Sequence, residues 1–293
     1  MELPLAEVGV LELDQVSIDR KGWMVSMKKD IRLIAIDLDD TLLDDQIQVS
    51  PRAIAAIRAA VAQGVTVTLA TGRMFASAVI FARQIGLDVP LITYNGALIR
   101  SALTGDTLFH QPVPVDAAVD ILNLFYHHSW YIQSYVEDKL YVDELNDYAM
   151  AYGRMAKITP LPIGKKLYTM KAAPTKLLGI TDADNVRPLI DKISRLFPDR
   201  VYATSSKAGY VEMMHPAVNK GQALAFLAGK LKIDQAQVMA LGDSLNDTDM
   251  LKYAGFGVAM GNAVPEAKAV AQAVTSGNNE DGVAEAIEKY VLN

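Results

Sequence analysis

The sequence predicts an α/β protein, a doubly wound parallel sheet interrupted by an inserted second α/β unit. Three observations carry this. Short Val/Ile/Leu runs at 33–36, 65–69, 90–94, 238–241 and 256–260 alternate with helix-like stretches. Each run is almost continuously apolar, as a parallel strand covered by helices on both faces must be. Between about Pro112 and Tyr210 the texture changes: nine of the twelve tyrosines and Trp130 fall there, and the strand-like pieces turn amphipathic. That pattern suits an antiparallel sheet with one wet face.

Taken in order, residues 1–26 show no clean period, and MELPLAEVGV lacks the basic and apolar regions of a secretion signal. From Met27 the chain reads MKKDIRLIAID, so we expect residues 1–26 to be an extension or a mis-assigned start. A core domain is expected over 27–112 and 211–293, with an inserted cap over 113–210. Leu33–Ile36 is the first strand. Pro51–Ala62, with Ile54, Ile57 and Val61 at helical spacing, leads into the strand Val65–Leu69. Met74–Gln84 is helix-like and precedes the strand Pro90–Tyr94. The insertion reads as helices Asp116–His127 and Val186–Phe197 around strands Tyr131–Val136 and Lys139–Val142. Core texture resumes after Gly209 with a helix at Gln222–Leu231, strands at Val238–Leu241 and Phe256–Met260, and a helix opened by Pro265.

Composition narrows the chemistry. Hydrophobic residues make up 51% and charged residues 21%, an ordinary globular mix. There is no cysteine, which removes disulfides, thiolate zinc sites, iron–sulfur clusters and a cysteine nucleophile, and fits a cytoplasmic location. A net charge of −6 gives no reason to expect nucleic acid as a partner. No apolar run reaches the roughly 18 residues of a membrane span.

Four segments carry the chemistry. Asp37-Leu38-Asp39-Asp40-Thr41 directly follows a strand, where an open α/β sheet displays side chains to a ligand. Asp37 and Asp39 stand two apart and share one side of an extended segment. Two close carboxylates need a shared proton or a cation, and Mg²⁺ is the hard cation suited to oxygen ligands. Ala70-Thr71-Gly72-Arg73 also lies between strand and helix, where a hydroxyl, backbone N–H groups and a glycine form a phosphate cradle or simply a helix cap. In Asn219-Lys220-Gly221 a lysine opens a helix against the dipole, which an anionic partner would explain. Gly242-Asp243-Ser244-Leu245-Asn246-Asp247 adds a carboxylate at a second strand end. Asn246 and Asp247 follow, either capping the next helix or steadying the ligands.

In this order the four segments resemble the motifs of the haloacid dehalogenase superfamily of phosphotransferases, over essentially all of the chain from Met27. Tyr94-Asn95-Gly96-Ala97, the long insertion and the segment Thr275–Val283 look like its Cof-type branch, which carries a type IIB cap on a Rossmann-like core. The resemblance implies that Asp37 is the nucleophile, forming an aspartyl-phosphate, and that Asp39 is the general acid and base. It implies that Thr71, Gly72, Lys220 and Asn246 hold the phosphoryl group. Mg²⁺ would be bound by Asp37, the backbone carbonyl of Asp39, and Asp243, with Asp247 behind them. The expected activity is a Mg²⁺-dependent phosphatase for a small phosphorylated metabolite, acting as a monomer or small homo-oligomer. A phosphomutase shares these motifs; a phospho-aspartate receiver fits poorly, because it is one domain without an insertion. Histidines 110, 127, 128 and 215 follow no metal spacing, and most cap aromatics are expected to be core.

Overall fold

The computed structural model describes residues 29–293 and an antiparallel pair of two-residue strands, Ser17–Ile18 and Met24–Val25. The expectation for residues 1–26 lies otherwise outside the described residues. At the centre is a five-stranded, wholly parallel sheet in the order Ala273–Val274, Phe256–Ala259, Val238–Gly242, Leu33–Ile36, Thr66–Leu69. The four longer strands are buried almost throughout, which is why their sequences read as unbroken apolar runs.

The strand order places the functional crevice. From Leu33–Ile36 the chain builds outward through Thr66–Leu69, and on its return adds Val238–Gly242 to the other side of the same strand. Ligands of open α/β sheets bind at such a switch point, beyond the carboxyl ends of the strands. Ile36 pairs with Leu241, so Asp37 and Asp243 leave the sheet almost side by side.

Flanking helices start where side chains can satisfy their first amides. Ser50 accepts from the Ala53 N–H at 3.0 Å, with Pro51 at the first helical position of Pro51–Ala62. Asn219 does the same for Lys220–Leu231, accepting from the Gln222 N–H at 2.8 Å.

Pro90–Thr93 departs from expectation. It joins an antiparallel three-stranded sheet with Leu98–Ser101 and Thr107–His110, and meets the parallel sheet through an Ala70–Ile92 bridge and a hydrogen bond from the Thr68 hydroxyl to Pro90 O at 2.7 Å. The cause is local: Tyr94, Asn95 and Gly96 all take positive φ (53°, 56°, 101°), reversing the chain into a hairpin.

The insertion forms a six-stranded sheet in the order Leu161–Pro162, Lys139–Val142, Ile132–Val136, Lys176–Ile180, Tyr210–Met214, Tyr202–Thr204, antiparallel except for the first pair. Helices Val115–His127 and Ala183–Leu196 cover one face through Ile121, Phe125, Val186 and Ile193. The other face is not wet. It packs Tyr135, Leu178 and Met214 against Met74 and Tyr94 of the core, with helix Asp147–Ala156 between. Strand Tyr210–Met214 belongs to this sheet, so the sheet runs past the 210/211 boundary expected from sequence.

Candidate active site

Asp37 ends its strand, and its N–H still donates to Leu241 O at 3.0 Å. The chain then turns tightly through Asp40 at φ 60°. Lys220, wholly buried at the start of its helix, reaches across: Nζ donates to Asp37 Oδ1 and to Asp247 Oδ1, both at 2.6 Å. Asp247 Oδ2 accepts from the N–H groups of Asp243 (3.0 Å) and Ser244 (2.9 Å), closing the loop after the second central strand. Asp243 accepts from the Thr41 hydroxyl at 2.7 Å and the Ser244 hydroxyl at 2.8 Å. Ligand oxygens of Asp37, Asp243 and Asp247 lie within 4.8 Å of one another.

Three buried carboxylates around one ammonium leave a deficit of positive charge, and the titration behaviour reflects it. Burial pushes Asp37 well above the usual carboxylate range, Lys220 pulls it down, and Asp247 and Asp243 push it up further. Burial and the neighbouring Asp247 raise Asp243 to about 7. Burial alone would lower Lys220, but Asp247 and Asp37 outweigh it and hold the ammonium above its ordinary value. A hard, oxygen-seeking dication fits this donor set, because it supplies the missing charge to carboxylates that otherwise retain protons.

Asp39 faces elsewhere. Arg73 grips its carboxylate with both ends of the guanidinium, Nε at 2.8 Å and Nη2 at 2.7 Å. Burial opposes ionisation of Asp39, but the hydrogen bonds and charge of Arg73 prevail and hold it below the usual range. Arg73 also donates to Ser77 Oγ at 3.2 Å, and the Ser77 hydroxyl donates to Ala156 O of the cap at 2.7 Å. The Thr71 hydroxyl oxygen accepts from the Arg73 N–H at 3.1 Å, which turns the hydroxyl proton away from that amide.

A polar seam closes the crevice from the cap. Lys176, 1% exposed, donates to Gly72 O at 2.5 Å and to Glu212 Oε1 at 2.6 Å, while Asn95 Nδ2 donates to Glu212 Oε2 at 2.8 Å. Gly72 eases this approach, since a Cβ there would sit 3.0 Å from Asn95 Oδ1 and 3.1 Å from Glu212 Oε1 and press on both side chains. Beneath the seam a cavity of about 20 Å³ is lined by Asp37, Asp39, Arg73, Tyr152, Lys207 and Tyr210, among others.

The sequence-derived residues therefore converge. Asp37 and Asp39, expected on one side of an extended segment, face different partners: Asp37 joins Asp243 and Asp247 in the carboxylate cluster, while the Asp39 side chain is held by Arg73, which leaves its backbone carbonyl, the atom the resemblance implies, for a cation. Asn246, expected to hold phosphate, spends one Nδ2 hydrogen on Asn95 Oδ1 at 2.8 Å and keeps a second, while its Oδ1 is a buried acceptor without a hydrogen-bond partner among the described residues. Arg73, Lys176 and Glu212 received no role from the sequence. The signal was there: Lys176 and Glu212 are lone charges inside apolar strands, KLLGI and YVEMM, where an unpaired charge is prohibitive. His215 serves its own turn, its Nδ1 accepting from the Ala217 N–H at 3.1 Å.

The model of the haloacid dehalogenase-like hydrolases matches residues 34–287, covering every segment just described. The chain belongs to that family. This hydrolase is 31% identical over 279 residues to the phosphatase YwpJ of Bacillus subtilis, covering 87% of this chain and 98% of that one. It is 33% identical over 266 residues to the B. subtilis 5-amino-6-(5-phospho-D-ribitylamino)uracil phosphatase YcsE, covering 90% and 97%. A subclass IIB sugar phosphatase of the superfamily superimposes with a TM-score of 0.76 at 20% identity, over 88% of this chain and 98% of the other. That likeness confirms the fold: a parallel core carrying an α/β cap. Among the described residues of the hydrolase, no helix is long and apolar enough to cross a membrane.

Proposed function

We propose that the protein is a Mg²⁺-dependent phosphatase that hydrolyses a small phosphorylated metabolite through an aspartyl-phosphate on Asp37. The observation that carries this reading is the placement of Asp37: at the switch point of the sheet, held by Lys220, beside Asp243 and Asp247, and facing a cavity that also contains Asp39. Asp37, Asp243 and the backbone of Asp39 would hold Mg²⁺, with Asp247 steadying Lys220 and the Asp243–Ser244 loop. When bound, the cation supplies charge that favours ionised Asp37 and neutralises the equatorial phosphoryl oxygens.

The chain's own groups supply the rest. The Lys220 ammonium stays protonated and fixes Asp37 Oδ1, leaving the other oxygen to attack phosphorus. Thr71 and the amides around Gly72 cradle the phosphoryl group. As the bond from phosphorus to the ester oxygen breaks, Asp39 gives that oxygen its proton; it then takes one from the water that attacks the aspartyl-phosphate, restoring Asp37 and releasing phosphate. With Arg73 bound, Asp39 is in the ionised state required of the second step. The first step requires Arg73 to loosen its grip, and an incoming phosphate dianion competes for that guanidinium.

The reading is tested by phosphate release with Mg²⁺ across sugar phosphates, pyridoxal phosphate, flavin mononucleotide and the phosphorylated riboflavin precursor. Release without a bisphosphate activator distinguishes it from a mutase. Asp37→Asn is expected to lower turnover by at least about 10³-fold, since it removes the nucleophile. A variant retaining more than a few per cent of activity would rule Asp37 out as nucleophile.

A further inference from the structure

Resting on the phosphatase reading, we propose that Lys207 selects phosphate monoesters whose leaving group carries a second anionic group, a carboxylate or another phosphate, close to the ester oxygen. Lys207 lies on the cap loop Ser205–Gly209, between strands Tyr202–Thr204 and Tyr210–Met214. The loop is fixed at both ends. Lys207 O accepts from the Ser205 hydroxyl and from the Tyr210 N–H, each at 3.0 Å, and Gly209 turns at φ 86°. It is also docked on the core, where the Asn246 N–H donates to Ser205 O at 3.3 Å. The loop thus carries Ser206 and Lys207 into the wall of the cavity that holds Asp37 and Asp39.

The other cations there are matched. Arg73 pairs with Asp39, Lys176 with Glu212, and Lys220 with Asp37 and Asp247. Lys207, half-buried, has no carboxylate within 4.0 Å among the described residues, and it lines the same cavity as Asp39. Asp39 is the group that serves the ester oxygen in the proposed function, so a cation carried by the cap into the cavity that Asp39 lines stands on the leaving-group side. Lys220, across the site, attends to the nucleophile. A neutral leaving group would leave the Lys207 ammonium partly desolvated and unmatched, whereas an anionic substituent would give it a charge-assisted hydrogen bond.

Matched substrates test this: 3-phosphoglycerate against glycerol 1-phosphate, and ethylene glycol bisphosphate against 2-hydroxyethyl phosphate, assayed with Mg²⁺ for kcat/KM. The wild type is expected to prefer the member with the extra charge by about tenfold or more, the worth of one charge-assisted contact. Lys207→Ala should collapse that ratio toward one, and Lys207→Arg should keep most of it. The carboxylate pair and the phosphate pair show which anion is read. An equal loss on both members of each pair would assign Lys207 to the transferred phosphoryl group and overturn the proposal. A wild type without preference defeats this inference alone, and a wild type that releases phosphate from no monoester defeats the phosphatase reading with it.

Discussion

Asp247 is the residue whose standing the structure changes most. From sequence it is as readily a helix cap as a site residue. In place it does both: one oxygen ties the Asp243 and Ser244 amides, while the other anchors Lys220, all without exposure to solvent. Each contact demands an acceptor. In Asp247→Asn the amide nitrogen would have to face either the Lys220 ammonium or two N–H donors, leaving buried groups unmatched. The variant is expected to lose about 2–4 kcal/mol of stability by denaturant unfolding, in line with breaking a buried pair. Mg²⁺ affinity should also weaken about 10–100-fold, as when a partner that orients ligands is removed. A variant as stable as the wild type, with undiminished Mg²⁺ affinity by calorimetry, would reduce Asp247 to a replaceable cap.

Elements deliver these residues by close approach. The helix Lys220–Leu231 must come near enough for a lysine at its first position to reach Asp37, and Gly221 permits it: a Cβ there would lie 2.5 Å from Asp249 O on the neighbouring helix. Gly221→Ala is therefore expected to destabilise the fold by about 1–3 kcal/mol through overpacking. It should also lower kcat more than it raises KM, by displacing Lys220; kinetics indistinguishable from wild type would show that the helices can separate without cost to the site. How much was legible follows the same logic. Asp37, Asp243 and Lys220 could be read because each stands at the end of a periodic element, and the pattern names both element and end. The helix Pro51–Ala62 was found by Ile54, Ile57 and Val61, but the face it buries is Ala53, Ala56, Ile57 and Ala60, with Val61 45% exposed. Small residues carry the packing there and give little signal. The cap strands were read as having one wet face because polar residues alternate with apolar ones. Lys176 and Glu212 are instead buried in the seam, paired with each other and with Gly72 and Asn95 far away in sequence, and Gln133 is buried between Tyr131 and Tyr135, two residues to either side of it. Periodicity reports polarity, and only the partner element decides whether polarity means solvent.

For the whole molecule, the docked cap and the buried carboxylates set two linked conditions for activity. A cavity of about 20 Å³ admits little more than a water, so substrate entry requires the cap to part from the core along the Lys176–Gly72 and Glu212–Asn95 contacts. The Lys176–Glu212 pair lies within the cap sheet and stays intact on opening, so parting costs only hydrogen bonds to Gly72 and Asn95, which hydration of the exposed charges offsets. The carboxylate cluster stays with the core and couples stability to pH and metal. Asp243, raised to about 7 in the folded state against an ordinary value of 3.8, and Asp37, also raised, bind protons that the unfolded chain has already lost. Stability of the metal-free protein from these groups is therefore full below pH 3.8 and is lost as pH rises toward about 7. On the proposed function Mg²⁺ would bind the ionised carboxylates, so protons and metal would compete for one site. The melting temperature of the metal-free protein is expected to fall as pH rises from about 5 to about 8, and the increase on adding saturating Mg²⁺ should grow over the same interval, by several degrees. Scanning fluorimetry with and without Mg²⁺ across that range reads both slopes. An Mg²⁺ increment independent of pH would place the metal away from Asp37 and Asp243. In Asp243→Asn the increment should shrink at every pH, because the neutral amide no longer gives the cation a charge to match.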